Sequence, residues 1–461
     1  MIRKRFLEDK AILAVSVLIV TMTIANLAQA VSLGGLFSTT LSSTVGVILF
    51  IATTGVAYIM MRYLLSSFFK SATSGIGKKS MFTKLLQKSV NWIYYMILAL
   101  LVITSYQMLL FSLYNTSFLV AVTLISSSSV VLALSLLTIK LFSWYKSAPN
   151  SLVFLYALTT LLSVVGTITG IIVIQIGHNI VERDPTIIEP ISSATASSKG
   201  SPLSAVIDTS KESRIFQIVA IPGRIGFVLY WIANVLLLRN YADKIGRKKF
   251  WVIVSLPLTI TLIGIFLVTL AASTSGTALF GVVNLTIIRI SISLSALMGG
   301  VLNGVIFLLV ARSMNESGHT YVQNYLRSAA FGLMLMAIST TLPQTSLLYP
   351  PFALVSWSLS GIAAYFIAFG FYSTVVSLTQ DINLRKSVKK LVISDSKLFD
   401  SVSTAQIQLD LEKRVTRIVR EQEEEMEKHT EIMAPVSNEV MKSYLNDVIQ
   451  EVKASRKMKS S

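Results

Sequence analysis

The sequence predicts an all-α protein: a polytopic transmembrane helix bundle of about ten spans, followed by a C-terminal cytoplasmic helix of amphipathic, coiled-coil character. Three observations carry this. Of the 461 residues, 53% are hydrophobic and 14% charged, and the mean hydropathy is +0.68; a soluble domain carries about 25% charged residues. Ten windows reach the roughly 20 apolar residues that a helix needs to cross a bilayer core. Lys and Arg, finally, fall on alternate loops between those windows, the pattern by which positive charge marks the cytoplasmic side.

The windows lie near 11–31, 44–65, 91–113, 118–139, 151–176, 221–238, 250–271, 288–311, 328–348 and 352–378. The ninth is the weakest, because Pro343, Pro350 and Pro351 interrupt the run that follows Met336, and proline cannot continue a helix. Together they make a transmembrane domain over 1–378, with residues 379–461 as a cytoplasmic helical tail. Counting basic residues loop by loop, 19 fall on the side of the N-terminus and 6 on the other. The N-terminus is therefore expected inside, and ten spans return the C-terminus to the same side of the cell membrane.

The first window has two readings. A basic start (Arg3, Lys4, Arg5), an apolar run and the small residues Ala28 and Ala30 fit a cleaved signal peptide. Apolar character that continues past Ala30 favours a retained first span.

Three segments outside the windows add detail. In the inner stretch 78–90, "KKSMFTKLLQKSV", Met81, Phe82, Leu85, Leu86 and Val90 recur at helical spacing among Lys78, Lys79, Lys84 and Lys88. That suits a helix lying on an anionic inner leaflet. The outside loop 177–220 is rich in Ser, Thr and Pro with mixed charge, and reads as a connector or as an outward-facing lid. In the tail, Leu384, Val388, Leu391, Leu398, Val402, Ala405 and Leu409 recur in steps of three and four, and after Asp395 the stripe shifts toward Leu411, Val415 and Ile418. Pro435 ends this helix and Ser437 caps a short second one, one face of which carries Val440, Tyr444, Val448 and Val452. A stripe so narrow wants a partner helix: its own tail, a second copy or another protein.

Charge and chemistry exclude several classes. The tail holds 15 Lys+Arg and 14 Asp+Glu, so nearly all of the +17 net charge belongs to the membrane part. Cytoplasmic loops account for it, and no nucleic-acid partner is implied. The chain has no Cys. His178, His319 and His429 are scattered, no metal-ligand spacing exists, and no nucleotide-binding or hydrolase motif is present. No cofactor, metal or catalytic residue is therefore expected. All nine acidic residues of the membrane part lie in loops, whereas cation-coupled transporters place a carboxylate near the midplane.

Polar groups within the windows are neutral. Asn26, Gln29, Gln107, Gln175, Asn234, Asn284 and Asn303 are expected to make interhelical hydrogen bonds, the serines 126–129 to pack, and the pairs Gly166/Gly170 and Gly300/Gly304 to mark close helix contacts. Arg224 and Arg289 sit at the outer ends of spans. They snorkel to headgroups or, with His178, contact an anionic ligand from outside.

Two resemblances follow from particular residues. In "NYADKIGRKK", residues 240–249, the positions Asp243, Lys244, Gly246, Arg247 and Lys248 are similar to the inner-loop motif of the major facilitator superfamily, although Arg239 stands where that motif has its leading Gly. The resemblance implies a transporter in which Asp243 and Arg247 form an inner salt-bridge latch. Spans five to ten would match one six-helix half. The stretch "VAIPGRIGFVLYWIANVLLLRNY…FWVIVSLPL", together with the tail, resembles uncharacterised multi-pass membrane proteins of ammonia-oxidising archaea, which implies no activity. The residues thus lead to a non-enzymatic sensor or scaffold that relays to its tail, with a permease for a neutral or anionic solute as the alternative.

Overall fold

A computed structural model describes residues 2–32, 40–74, 81–111, 115–147, 149–183, 225–236, 301–309, 311–312, 320–339, 351–380 and 405–408, with single positions between 222 and 263 and at 402 and 417. Every regular element among them is a helix: α1 (Ile2–Ser32), α2 (Thr40–Ser74), α3 (Met81–Phe111), α4 (Thr116–Ser147), α5 (Ser151–Arg183), α6 (225–236), α7 (301–309), α8 (Thr320–Ser339), α9 (Phe352–Ser358) and α10 (Ser360–Gln380). Six stretches are long and apolar enough to cross a membrane: Lys10–Ala28, Thr44–Phe69, Gln87–Phe111, Ser117–Ser147, Ser151–Ile172 and Phe352–Val375. They coincide with predicted spans one to five and ten.

Short polar residues start two of these helices. The Asn115 side-chain oxygen accepts the N–H of Ser117 at 2.9 Å, and Asn150 accepts that of Leu152 at 2.9 Å. Each is an N-cap that satisfies a donor the first helical turn leaves open, which matters where no water reaches the backbone.

The last span is the centre of the bundle. Of the Phe352–Val375 stretch 94% is buried, against 28–50% for the other five spans. α1, α2, α4 and α8 wrap it. Contacts along the helices fix their directions. Phe50 meets Phe352 and Phe68 meets Phe366, so α2 runs with α9–α10. Ser126 meets Ser360, and Val130 and Leu134 share a cluster with Ala364, so α4 runs the same way. α8 runs against it: Gly332 lies beside Ala363 and Ile367, and Gly370 beside Tyr325 and Ala329. The C-terminal ends of α1 and α8 meet where Asn26 donates to the Ile338 carbonyl at 3.1 Å.

Three expectations change. The basic stretch 78–90 is not a separate helix lying on a leaflet; from Met81 it is the first turns of α3, in line with the span. Its apolar stripe simply continues into Tyr94, Ile97 and Leu101, which are buried. The helix of the ninth window is already formed at Thr320, eight residues before 328, and is described as far as Ser339. A hydropathy window passes over Gln323, Asn324 and Arg327, yet Val322, Leu326, Ala329 and Ala330 on the same turns are fully buried. Of the glycine pairs, Gly304 packs closely, since a Cβ there would come within 2.8 Å of the Ala330 carbonyl, while Gly170 meets nothing within 4 Å.

α1 belongs to the bundle: Leu18, Met22 and Ala25 are fully buried in its core.

Candidate functional site

The central helix tightens at one turn. Between α9 and α10, Leu359 keeps right-handed helical backbone angles (φ −88°, ψ −9°), but its N–H reaches back three residues to the Ser356 carbonyl at 3.2 Å. The ladder resumes with Ala363 N–H to Leu359 O at 3.0 Å. An interrupted ladder inside an apolar bundle exposes backbone groups that lipid cannot satisfy. Here a side chain from another helix supplies the partners. The Ser126 hydroxyl of α4 accepts the Gly361 N–H at 3.2 Å, which a regular helix would aim at Trp357 O. Its single proton is shared between the carbonyls of Trp357 at 3.0 Å and Ser358 at 3.1 Å, and Ser360 Oγ lies 3.0 Å away as a further hydrogen-bond partner. A side chain inserted into the i→i−4 ladder is a recognised cause of helix irregularity.

Other hydroxyls complete this node. Ser127 Oγ accepts the indole N–H of Trp357 at 3.1 Å. Tyr58 of α2 donates to Ser358 Oγ at 2.9 Å, and its own carbonyl accepts the Tyr94 hydroxyl from α3 at 2.9 Å. Ser356 donates to Met22 O of α1 at 3.3 Å. The node thus ties α1, α2, α3 and α4 to one point on the central helix. Gly361 makes the approach possible: a Cβ there would lie 2.8 Å from Ser129 Cβ and 3.0 Å from Ser126 O. Gly361→Ala should lower thermal stability by about 1–3 kcal/mol through overpacking; an unchanged melting temperature would show that α4 is free to retreat.

A second polar node joins α5, α6 and α7. Tyr156 donates to Asn234 Oδ1 at 3.1 Å, and the Asn234 amide donates to Asn303 Oδ1. Both asparagines do what the sequence led one to expect, an interhelical hydrogen bond, and they do it with each other.

The third feature is where the tail returns. Val402 and Ala405 are fully buried in one cluster with Leu141, Trp144, Leu152 and Val153. The Trp144 indole N–H donates to Gln406 Oε1 at 2.7 Å. At these residues the stripe of the tail finds its partner in the α4–α5 end of its own bundle.

Several buried polar atoms have no partner: Thr54 Oγ1, the Tyr230 hydroxyl, Ser328 Oγ and both amide atoms of Gln323. Thr54 lies on the α2 face that carries Phe50 and Tyr58, the residues that touch α9.

Asp243, Arg247, Arg224 and Arg289 lie outside the described residues. The backbone of His178 belongs to the last turns of α5, and its side chain lies outside them. Within the "NYADKIGRKK" motif, Gly246 has φ 92° and its carbonyl accepts the Phe250 N–H at 2.9 Å. Glycine is needed there for a left-handed turn that starts the next helical stretch. The serines 126–129 were read as packing; their hydrogen bonds into the central helix were missed, although a signal existed: two serine-rich strings, 126–129 and 356–360, sit in otherwise apolar spans. Compared with protein-family models, curated proteins and solved structures, the chain matches none.

Proposed function

We propose that this is a non-enzymatic membrane relay, a sensor or scaffold whose bundle controls the position of a helical cytoplasmic tail. The observation that carries the reading is the docking of Val402, Ala405 and Gln406 onto the Trp144 end of α4. The docked face is the same stripe that a partner helix would need, so docked and partner-bound tails exclude each other. The central helix precedes the tail in the chain and touches five other helices, so a rearrangement among them reaches it. In this reading the N- and C-termini are cytoplasmic, the spans number ten, and the basic inner loops and the start of α3 face an anionic inner leaflet. The tail's partner is a second copy or another protein.

The span count has independent support. α5 runs against α4, and α8 against α10, the arrangement that an odd number of crossings between 183 and 320 would give. The windows 221–238, 250–271 and 288–311 supply three.

The test uses the absence of cysteine. Spin labels at Lys146→Cys and Arg417→Cys, both exposed positions, report the tail's distance from α4 in lipid nanodiscs. Two populations are expected, docked and released. Trp144→Phe removes the indole donor, worth about 1 kcal/mol, and should shift their ratio about fivefold toward release. A single distance, unchanged by the substitution, rejects the relay.

A permease for a neutral or anionic solute is the second reading. The interrupted ladder of the central helix favours it, because transporters build sites at discontinuous helices, and so do the unpartnered Thr54 and Gln323. It predicts that a small water-soluble thiol reagent reaches Thr54→Cys from one side of the membrane. Full protection from both sides rejects it.

A further inference from the structure

The two ends of α4 hold two different things. Ser126 fills the interrupted ladder of the central helix; Trp144 holds the tail. They are 18 residues apart, which is five full turns and about 27 Å of helix. They therefore point the same way from the α4 axis. Between them the same face carries Val130, Leu134, Leu137 and Leu141, all buried. These residues pack along α10: Leu134 with Ala364, and Leu137 and Leu141 in one cluster with Ile367, Phe371 and Val375. Among the described residues α4 carries no Gly or Pro from 116 to 147, so nothing in it is built to absorb a displacement by bending.

We infer that α4 is a coupling rod: insertion of Ser126 into the Trp357–Gly361 ladder and docking of the tail on Trp144 form and break together. This rests on the relay reading and names its internal switch. The switch has two arrangements at one point. With Ser126 inserted, the Gly361 N–H goes to α4 and the central helix carries the tightened turn at Leu359. With Ser126 withdrawn, that N–H has Trp357 O as its alternative partner within its own helix, and α9 and α10 become one continuous helix. Both arrangements satisfy the N–H, as the membrane interior requires, so each is an accessible end state. Withdrawal moves α4 relative to α10 along the whole shared face. The bond most sensitive to this is the one at the far end, a single 2.7 Å contact between Trp144 and a side chain of another segment.

The test uses the label pair Lys146→Cys and Arg417→Cys in the full chain in nanodiscs. Ser126→Ala, five turns from the dock, should lower the docked-to-released ratio at least threefold. Gly361→Ala, which pushes α4 away from the other side of the tightened turn, should lower it in the same direction. If Trp144→Phe lowers the ratio while neither Ser126→Ala nor Gly361→Ala does, the dock is real, the relay reading stands and the coupling is refuted. If none of the three changes it, the relay reading falls as well. Coupling free energies are reciprocal, which provides a readout that does not depend on Ser126→Ala folding. Gln406→Leu should shift the fluorine resonance of 5-fluorotryptophan at Trp357, whose indole is bound to Ser127 beside the tightened turn. A Trp357 resonance that stays in place when the tail is released overturns the proposal.

Discussion

Gly370→Leu should prevent the bundle from assembling. A Cβ at this position would stand 2.5 Å from the Tyr325 carbonyl and 2.6 Å from the Ala329 nitrogen. Those are backbone atoms of α8 and cannot turn aside as a side chain can. The opposite face of the same crossing is built alike: a Cβ at Gly332 of α8 would stand 2.7 Å from both the Ala363 carbonyl and the Ile367 nitrogen of α10. Each helix thus presses a glycine against the other's main chain, the close approach that dispersion-driven packing in lipid depends on. Overpacking usually costs 1–3 kcal/mol when neighbours can shift. Here the two most extensively packed helices must separate along their length, so a loss above about 3 kcal/mol is expected. Size-exclusion chromatography and thermal unfolding in detergent would show it as loss of the monodisperse species. Gly55→Leu is the control, because a Cβ there meets nothing within 4 Å. Equal behaviour of the two variants would mean that the α8–α10 contact does not hold the bundle.

Why the centre of the bundle was not legible follows from these residues. Hydropathy ranks spans by transfer into lipid, and lipid and protein interior are equally apolar. The stretch 352–375 has hydropathy 1.7, the lowest of the six spans, yet it is the most buried. What marks it is small residues: Gly361, Ala363, Ala364 and Gly370 let neighbours approach, and no charge needs an exit to water. Positions of the first five spans were readable because length and apolarity suffice for existence. The ninth window opened only at 328 because Gln323, Asn324 and Arg327 lower the hydropathy before it, whereas the buried face already includes Val322 and Leu326. At the site, Asn234 and Asn303 were identifiable as hydrogen-bonding residues, but their pairing across 69 positions of sequence was not. The serines 126–129 were seen and read as packing. Their role depends on a backbone gap in another helix, which no property of 126–129 alone can reveal. The tail stripe was visible at Val402 and Ala405; that these residues dock on the bundle was not among the occupants the sequence offered for the tail.

That last point sets up the second large effect. Trp144 is fully buried, its indole N–H is taken by Gln406, and its ring shares a cluster with residues of α4, α5 and the tail. Trp144→Ala should cost about 3–5 kcal/mol, the range for deleting a buried aromatic side chain. Where that loss falls decides between two roles for the tail. If the dock is a switch, the tail is the neighbour that leaves, through loss of the contacts at Val402, Ala405 and Gln406. α4 and α5 remain tied to each other and to α10. The variant should then release the tail at temperatures where the bundle stays folded: limited proteolysis would cut after residue 380 at once, while the melting transition of the bundle shifts far less than the full loss. If the tail is instead a structural part of the bundle, both events coincide in one transition and proteolysis follows melting. The physical difference is cooperativity. A segment that can leave without unfolding its support has a local opening free energy well below the global one, and only such a segment can carry a signal away from the membrane.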